Sequence, residues 1–218
     1  MKLAIMQPYF LPSIYYWQML NNVDKFIILD DVSFMPKKFI HRNFIIHNNK
    51  KIQLTVTLKK KSLNRLINQH EILNISNFYK IINFVYKNEK NYNDIIYLID
   101  RSFFGEKNLS KAITNLLANI SSYLGIKTEF IFSSSIMGFK KKGEEQLIQI
   151  CNHFKAKSYI NLSGGKNIYN KSNFLENNIS LQFVNNGKYP QDISIIDYLM
   201  KKDKAELMKI INDINLTK

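Results

Sequence analysis

Two adjacent aspartates, Asp30 and Asp31, are the side chains best placed to do chemistry in this chain of 218 residues. They follow the apolar run at 26–29, where a buried strand would end. Carboxylates in such a position could act as a general base, accept hydrogen bonds from sugar hydroxyls or bind Mg²⁺. A pair of turn aspartates without chemistry is an equally favoured interpretation. Because adjacent side chains at a strand end point to opposite sides, we expect one of the two to be structural.

The segment His41-Arg42-Asn43 supplies a second set of candidates. Arg42 is one of only three arginines in a chain with 28 lysines, and its planar guanidinium suits a bidentate partner. That partner is either a phosphate or one of the two aspartates, with no preference between them. His41 could serve as a general acid or base near neutral pH, although a lone histidine more often packs in the core or lies at the surface.

The other ionisable side chains show no pattern typical of a metal site or of a particular cofactor. The four histidines are scattered, and the single cysteine, Cys151, cannot complete a multi-cysteine site. Cys151 shares an apolar helical face with its neighbours, so we expect a buried thiol. The loop after the first strand lacks the glycine-rich patterns of nicotinamide-binding and ATP-binding loops. The cofactor therefore stays unknown.

These candidates need a scaffold that brings strand ends together. An apolar run at 3–6, a helical pattern at 14–23 and the apolar run at 26–29 predict a βαβ unit, with Ser13 as the helix N-cap. Ligands bind at the carboxyl ends of strands in open α/β sheets. That rule gathers Gln7, the helix N-terminus at Ser13 and the aspartate pair at one edge. A helix N-terminus favours anions.

The rest of the pattern predicts an α/β fold with a mainly parallel, Rossmann-like sheet. Residues 44–47 and 52–58 read as a β-hairpin around a turn at 48–51. Helices are expected at about 76–100 and 108–124, then a strand at 128–133, a helix at 143–154 and strands at 158–162 and 179–184. A short helix near Ser194 and a final lysine-rich helix close the chain. We expect one domain over 1–218, with a helical insertion, subdomain or lid at roughly 76–125.

Two later loops add polar candidates that have structural alternatives. Ser163–Gly165 follows a strand and could bring backbone close to a ligand, although a plain turn fits equally well. Tyr189, Gln191, Ser194 and Asp197 precede and enter a helix and could face the same cleft. Ser194 and Asp197 also have the spacing of a capping box.

The formal charge of +14 raises the question of a nucleic-acid or membrane partner. The abundance of Lys, Asn and Ile indicates the codon bias of an A+T-rich genome, so a default lysine surface is the favoured interpretation. Interleaved lysines and aromatics leave an RNA- or polyanion-binding module as the alternative, and an ordinary amphipathic helix fits them better. They are Lys80, Phe84, Tyr86, Lys87, Lys90 and Tyr92. The N-terminus makes a poor signal peptide, and no window is apolar enough to cross a membrane, so cytoplasmic residence without membrane insertion is expected.

Several segments together make the chain resemble the WbqC-like protein family. They are IMQPYFLP at 5–12, DKFIILDDV at 24–32, HRN at 41–43, YINLSGGKNIY at 159–169 and YPQDISIID at 189–197. The resemblance extends over nearly the whole chain and implies a role in bacterial surface-polysaccharide synthesis, notably of O-antigen. The chain departs from the family pattern at Tyr15, where a glycine is common, and at Phe39, where a tryptophan is often found.

The resemblance implies a transferase that modifies a nucleotide-linked amino sugar, by acyl or aminoacyl transfer to the sugar amine. The donor would be an acyl donor or an aminoacyl-tRNA. The expected catalytic residues are Asp30, Asp31 and His41. The expected substrate-binding residues are Gln7, Pro8, Tyr9, Ser13, Arg42, Asn43, Gly164, Gly165, Tyr189, Gln191, Ser194 and Asp197.

Overall fold

A computed structural model of the chain describes residues 1–136 and 141–217. The strands are β1 Lys2–Met6, β2 Lys25–Ile28, β3 Arg42–His47, β4 Lys50–Thr55, β5 Thr57–Leu58, β6 Ile72–Asn74, β7 Glu129–Phe132, β8 Ser158–Leu162, β9 Ser180–Val184 and β10 Leu216–Thr217. The helices are α1 Ile14–Leu20, α2 Ser76–Tyr86, α3 Tyr92–Phe103, α4 Leu109–Leu124, α5 Glu144–His153, α6 Lys171–Glu176, α7 Ile196–Lys201 and α8 Lys204–Asn212.

The central sheet has six strands in the order β10-β9-β8-β1-β2-β7. Every neighbouring pair is parallel except β9 and β10, which are antiparallel. The prediction of an α/β fold with a mainly parallel sheet is therefore confirmed. The predicted βαβ unit is also present, because β1 and β2 pair in parallel across α1.

Both faces of the sheet are buried, as the continuous apolar strands require. Leu3 and Ile5 face a core formed with α5 and α6, which includes Cys151. Ala4, between them in β1, faces the other core, which α1 and the helices of the insertion cover. Side chains alternate across a strand, so one apolar run supplies both cores.

The predicted hairpin forms from β3 and β4, with Ile45 opposite Ile52. Its turn is shorter than the predicted 48–51, because only Asn48 and Asn49 separate the strands. Both have positive φ, at 48° and 59°, as a two-residue turn that matches the strand twist requires. Asparagine tolerates this region better than other residues with a Cβ.

Three helices lie between β6 and β7. The predicted helix at 76–100 is interrupted between α2 and α3, where the Asn91 side chain donates to the carbonyls of Leu199 and Lys202. The predicted helix at 108–124 is α4, which starts after the N-cap Asn108 and ends at Gly125 with φ 80°. These helices share the first core with α1 and the sheet.

Three elements were not predicted. They are strand β6, helix α6 and the antiparallel edge strand β10. The strand predicted at 52–58 is divided into β4 and β5, and β5 pairs with β6. Strands β6 and β10 have three and two residues, too few for a periodic pattern to show in the sequence. Among the described residues, no helix is long and apolar enough to cross a membrane.

Candidate functional site

The carboxyl ends of β1 and β8 form the switch point of the sheet. From β1 the chain moves to β2 on one side, and after β7 it returns to β8 on the other side. Connections that leave two adjacent strands in opposite directions open a crevice in which α/β proteins bind ligands. Gln7 follows β1 here, and Ser163–Gly165 follows β8.

The loop after β1 is held by a set of side chains that bind its carbonyl groups. The Tyr16 hydroxyl donates to the Gln7 carbonyl at 3.0 Å. The buried Asn43 amide donates to the carbonyls of Phe10 and Leu11 at 3.0 and 2.7 Å. Ser194 donates to the Leu11 carbonyl at 2.9 Å. Asn43 and Ser194 therefore position the loop that carries Gln7, and both are buried.

Aromatic side chains pack tightly on the β8 side of the switch point. Burial and the neighbouring Tyr169 raise the pKa of Tyr9 to about 12. Gly165 lies so close to Tyr169 and Asn161 that an added Cβ would meet their atoms at 2.9 and 3.0 Å. The neighbouring Gly164 has open space in the same direction. A side chain is thus excluded at one glycine and not at the other.

The aspartate pair is bound to the serines that follow β7. The Ser133 hydroxyl donates to Asp31 Oδ1 at 2.5 Å and lies 3.2 Å from Asp30 Oδ1. The Ser134 backbone N–H and hydroxyl donate to the two Asp30 oxygens at 3.1 and 2.9 Å. Asp30 is only 3 % exposed, whereas Asp31 is half-buried. Adjacent side chains in a strand point to opposite sides, but both of these carboxylates bind the serines that follow β7. They can do so because β2 ends at Ile28, before the pair.

A cavity of about 390 Å³ opens beside Asp30 at the carboxyl ends of β2 and β7. The strand ends contribute Asp30, Phe132, Ser134 and Ser135. The segment between β5 and β6 contributes Asn68, and the insertion contributes Asn108 and Lys111. Hydrogen bonds fix this second wall: the Asn68 N–H donates to the Asp30 carbonyl, and the Asn108 amide donates to the Asn68 carbonyl. The result is a polar cavity with one carboxylate, one ammonium group, two amides and two hydroxyls.

His41 is buried against Phe34, with ring centroids 5.3 Å apart. Burial lowers its pKa to about 4, and the charges of Lys61, Arg42 and His70 add to the effect. The imidazole is therefore neutral at pH 7, contrary to the expectation of an acid or base that titrates near neutrality. No hydrogen bond joins it to either aspartate within residues 1–136 and 141–217.

Arg42 does not pair with the aspartates, which corrects one of the two predicted alternatives. Its guanidinium donates to the Lys37 carbonyl at 2.7 Å and to Gln53 Oε1 at 3.4 Å, and it lies over the Phe44 ring. Its buried Nε has no hydrogen-bond partner among the described residues. The phosphate alternative stays a prediction.

The helix start at Ser13 differs from the predicted cap. Helix α1 has seven residues, all of them buried, and the Ser13 side chain makes no capping hydrogen bond. The preceding carbonyl, that of Pro12, is occupied by the Trp17 indole N–H and the Ile195 N–H. Pro8, in the loop after β1, is buried.

The residues at 189–197 do not form a capping box. The Ser194 hydroxyl accepts from the Ile196 N–H, but Asp197 instead accepts from the Tyr86 hydroxyl at 3.0 Å and pairs with Lys201 at 2.7 Å. Tyr189 is half-buried, and Gln191 is exposed. Asp197 therefore links α7 to α2 and is not part of the strand-end edge.

The family model of the WbqC-like protein family matches residues 7–209 of the 218. The chain belongs to the WbqC-like family. The comparisons with curated proteins and with solved structures gave no match.

Tyr15 gives this WbqC-like protein a contact that a glycine there could not make. Its hydroxyl accepts from the N–H groups of Gly187 and Tyr189 at 2.9 and 2.7 Å and donates to the Tyr189 carbonyl at 3.0 Å. The side chain therefore fixes the loop after β9 to the first helix.

Five polar residues of the cavity in this WbqC-like protein were not predicted, namely Asn68, Asn108, Lys111, Ser134 and Ser135. A serine run after β7 would have been a usable signal once β7 was known to pair with β2, since both strands end at the same edge. The two asparagines and the lysine carry no sequence signal, because tertiary packing of the segment before β6 and of the insertion places them there. Within the described ranges, no group of three His, Cys, Asp or Glu side chains could hold a metal ion.

Proposed function

We propose that this WbqC-like protein transfers an acyl or aminoacyl group to the amine of a nucleotide-linked amino sugar in bacterial surface-polysaccharide synthesis. The observation that carries the proposal is the polar cavity beside Asp30, at the carboxyl ends of β2 and β7. Family membership supports the pathway, and the chemistry of the cavity supports the substrate.

The cavity suits a sugar because its groups both donate and accept hydrogen bonds. Its volume of about 390 Å³ falls at the low end of the roughly 300–1,000 Å³ of small-molecule sites. Asp30 is fixed by Ser134 and keeps further lone pairs for hydroxyl groups. The amides of Asn68 and Asn108 line the opposite wall, and amides can both donate to and accept from hydroxyls.

The nucleotide would lie along the same edge, towards the switch point at Gln7 and Gly164. The ends of β8 and β7 are separated by three strand spacings, or about 14 Å. An elongated substrate with its sugar beside Asp30 would therefore extend past β1. Lys111 in the first turn of α4 adds a positive charge at the sugar end, where it would attract a phosphate group.

Asp31 is the residue that we assign as general base. Its carboxylate is more exposed than that of Asp30 and, within the part of the chain that the structure describes, receives only the Ser133 hydroxyl. In the proposed reaction, the sugar ammonium loses one proton to Asp31 and the free amine attacks the carbonyl carbon of an activated ester or thioester. An N–C bond forms, the C–O or C–S bond breaks, and the leaving group carries away the second proton. Such base catalysis contributes about 10²–10⁴-fold.

The proposal is tested by incubating the protein with nucleotide-linked amino sugars and with acyl thioester or aminoacyl-tRNA donors. The expected result is a mass gain on the sugar equal to the transferred acyl group. Asp31→Asn should lower turnover by about 10²–10⁴-fold and leave substrate binding in place. Asp30→Asn should weaken sugar binding instead.

Asp94→Asn is the matched control, because Asp94 is an exposed carboxylate on α3, outside the cavity. It should leave both turnover and binding unchanged. An Asp31→Asn variant as active as the parent would contradict the assigned base. A lack of mass gain with every donor, together with a lack of sugar binding, would reject the transferase.

A further inference from the structure

The positive charge of the chain is concentrated in one segment. Residues 32–88 contain eleven lysines and arginines and a single acidic residue, Glu71. This quarter of the chain therefore carries a charge of +10 out of the total of +14. A default lysine surface would spread along the sequence, so this concentration calls for a local explanation.

Most of these cations are not neutralised by the fold. Among the described residues, only Lys51 and Lys59 of this segment form ion pairs, with Asp192 and Glu71. Neither the β3–β4 hairpin nor α2 contains an aspartate or glutamate. The two elements therefore present lysines without carboxylates of their own.

An exposed aromatic ring lies where the hairpin tip meets α2. The Phe84 ring is 78 % exposed and has the His47 ring at its edge, with centroids 5.7 Å apart. Lys80 and Lys87 flank Phe84 on α2, at spacings of four and three residues, and so share its face of the helix. We name this surface the tip patch; it comprises His47, Lys50, Lys80, Phe84 and Lys87.

We infer that the tip patch binds single-stranded nucleic acid. Proteins bind single strands without sequence preference by stacking bases on exposed aromatic rings while basic side chains contact the phosphates. Lys80 and Lys87 are separated by about 10 Å along the helix axis, with Phe84 between them. One base stacked on Phe84 would have phosphates on both sides within reach of the two lysines. Lys50 at the hairpin tip extends the basic surface.

The structure also corrects the set of residues that the sequence suggested for such binding. Tyr86 is fully buried, Lys90 is paired with Asp203, and the Tyr92 hydroxyl donates to Asn83. These three side chains do not belong to the patch. The proposal does not depend on the sugar chemistry, because the patch shares no residue with the cavity beside Asp30.

The test measures binding of a fluorescently labelled 12-nucleotide oligouridine to the full chain between 50 and 200 mM salt. Three lysine contacts to a single strand predict a slope of about −2 for log K against log salt, which is about 20-fold weaker binding over that range. Phe84→Ala should weaken binding by about 5- to 150-fold. The double variant Lys80→Glu with Lys87→Glu should reduce the slope by about 1.4.

Two matched controls separate the patch from general effects. Phe104→Ala removes a phenyl ring outside the patch that is even more exposed than Phe84, and Lys127→Glu with Lys209→Glu changes the net charge by the same amount at exposed sites elsewhere. Both should bind RNA like the parent. Equal losses in patch and control variants would overturn the proposal, as would an absence of binding at 50 mM salt. Binding to phosphatidylserine vesicles that needs Phe84, without binding to the oligonucleotide, would assign the patch to a membrane surface instead.

Discussion

Replacing Gly165 by alanine should destabilise the protein, because the added methyl group has no room. The ideal Cβ would lie 2.9 Å from Tyr169 Cε2, 3.0 Å from Asn161 Nδ2 and 3.1 Å from Phe183 Cε1. Phe183 is fully buried, and the Asn161 side chain is held by Tyr159 and by the Leu162 N–H. Overpacking of this kind costs about 1–3 kcal/mol.

Gly164→Ala is the matched control one residue away. Nothing lies within 4 Å of its ideal Cβ, and its φ is not in the left-handed region. A glycine-to-alanine change at an unstrained site stabilises by about 0.4–1 kcal/mol through the unfolded chain. The two neighbouring substitutions should therefore change stability in opposite directions.

Thermal unfolding measures the difference directly. For a chain of this size, 1 kcal/mol shifts Tm by about 2–4 °C. Gly165→Ala should lower Tm by about 2–12 °C, and Gly164→Ala should leave Tm unchanged or raise it by up to about 4 °C. A Gly165→Ala variant that melts at or above the parent temperature would contradict the close packing of Gly165 against Tyr169 and Phe183.

Three further outcomes are expected. Tyr15→Phe should cost about 0.5–1.5 kcal/mol for each hydrogen bond removed, because its hydroxyl binds part-buried backbone groups of the loop after β9; urea unfolding checks this, with the exposed Tyr97→Phe as the control. Burial and positive neighbours lower the pKa of His41 to about 4, so the unfolded chain binds a proton that the fold does not. Stability from this group is complete above the unfolded pKa of about 6.5 and is lost as pH falls towards 4. His41→Phe should flatten that part of the pH–stability profile, and an unchanged profile would contradict the burial. Burial raises the pKa of the Cys151 thiol to about 12, so a disulfide reagent at pH 8 should label it only after urea unfolds the protein.

The main elements could be predicted because their apolar patterns are local. The run at 3–6 gave β1, the run at 26–29 gave β2 within one residue, and 158–162 is the strand β8 as predicted. The Rossmann-like sheet followed from the alternation of such runs with helices. Strand order could not be predicted in this way, because β2 pairs with β7 across roughly a hundred residues of chain and no local pattern encodes that pairing.

The candidate site was predictable only as far as it depends on local signals. The aspartate pair was visible as charge at the end of an apolar run, but its serine partners depend on the pairing of β2 with β7. The rarity of Arg42 suggested a carboxylate or phosphate partner, whereas the guanidinium packs against its own hairpin and the Lys37 carbonyl. A scarce residue type indicates a special geometry without identifying the partner.

A crystal structure with a nucleotide-linked amino sugar bound would show whether the cavity beside Asp30 holds the sugar of the substrate. We expect the sugar ring in the cavity, within hydrogen-bond distance of Asp30 and Asn108, with its amine facing Asp31 and the nucleotide extending towards Gly164. A sugar ring bound at any other surface of the chain, with the cavity free of ligand, would contradict this expectation.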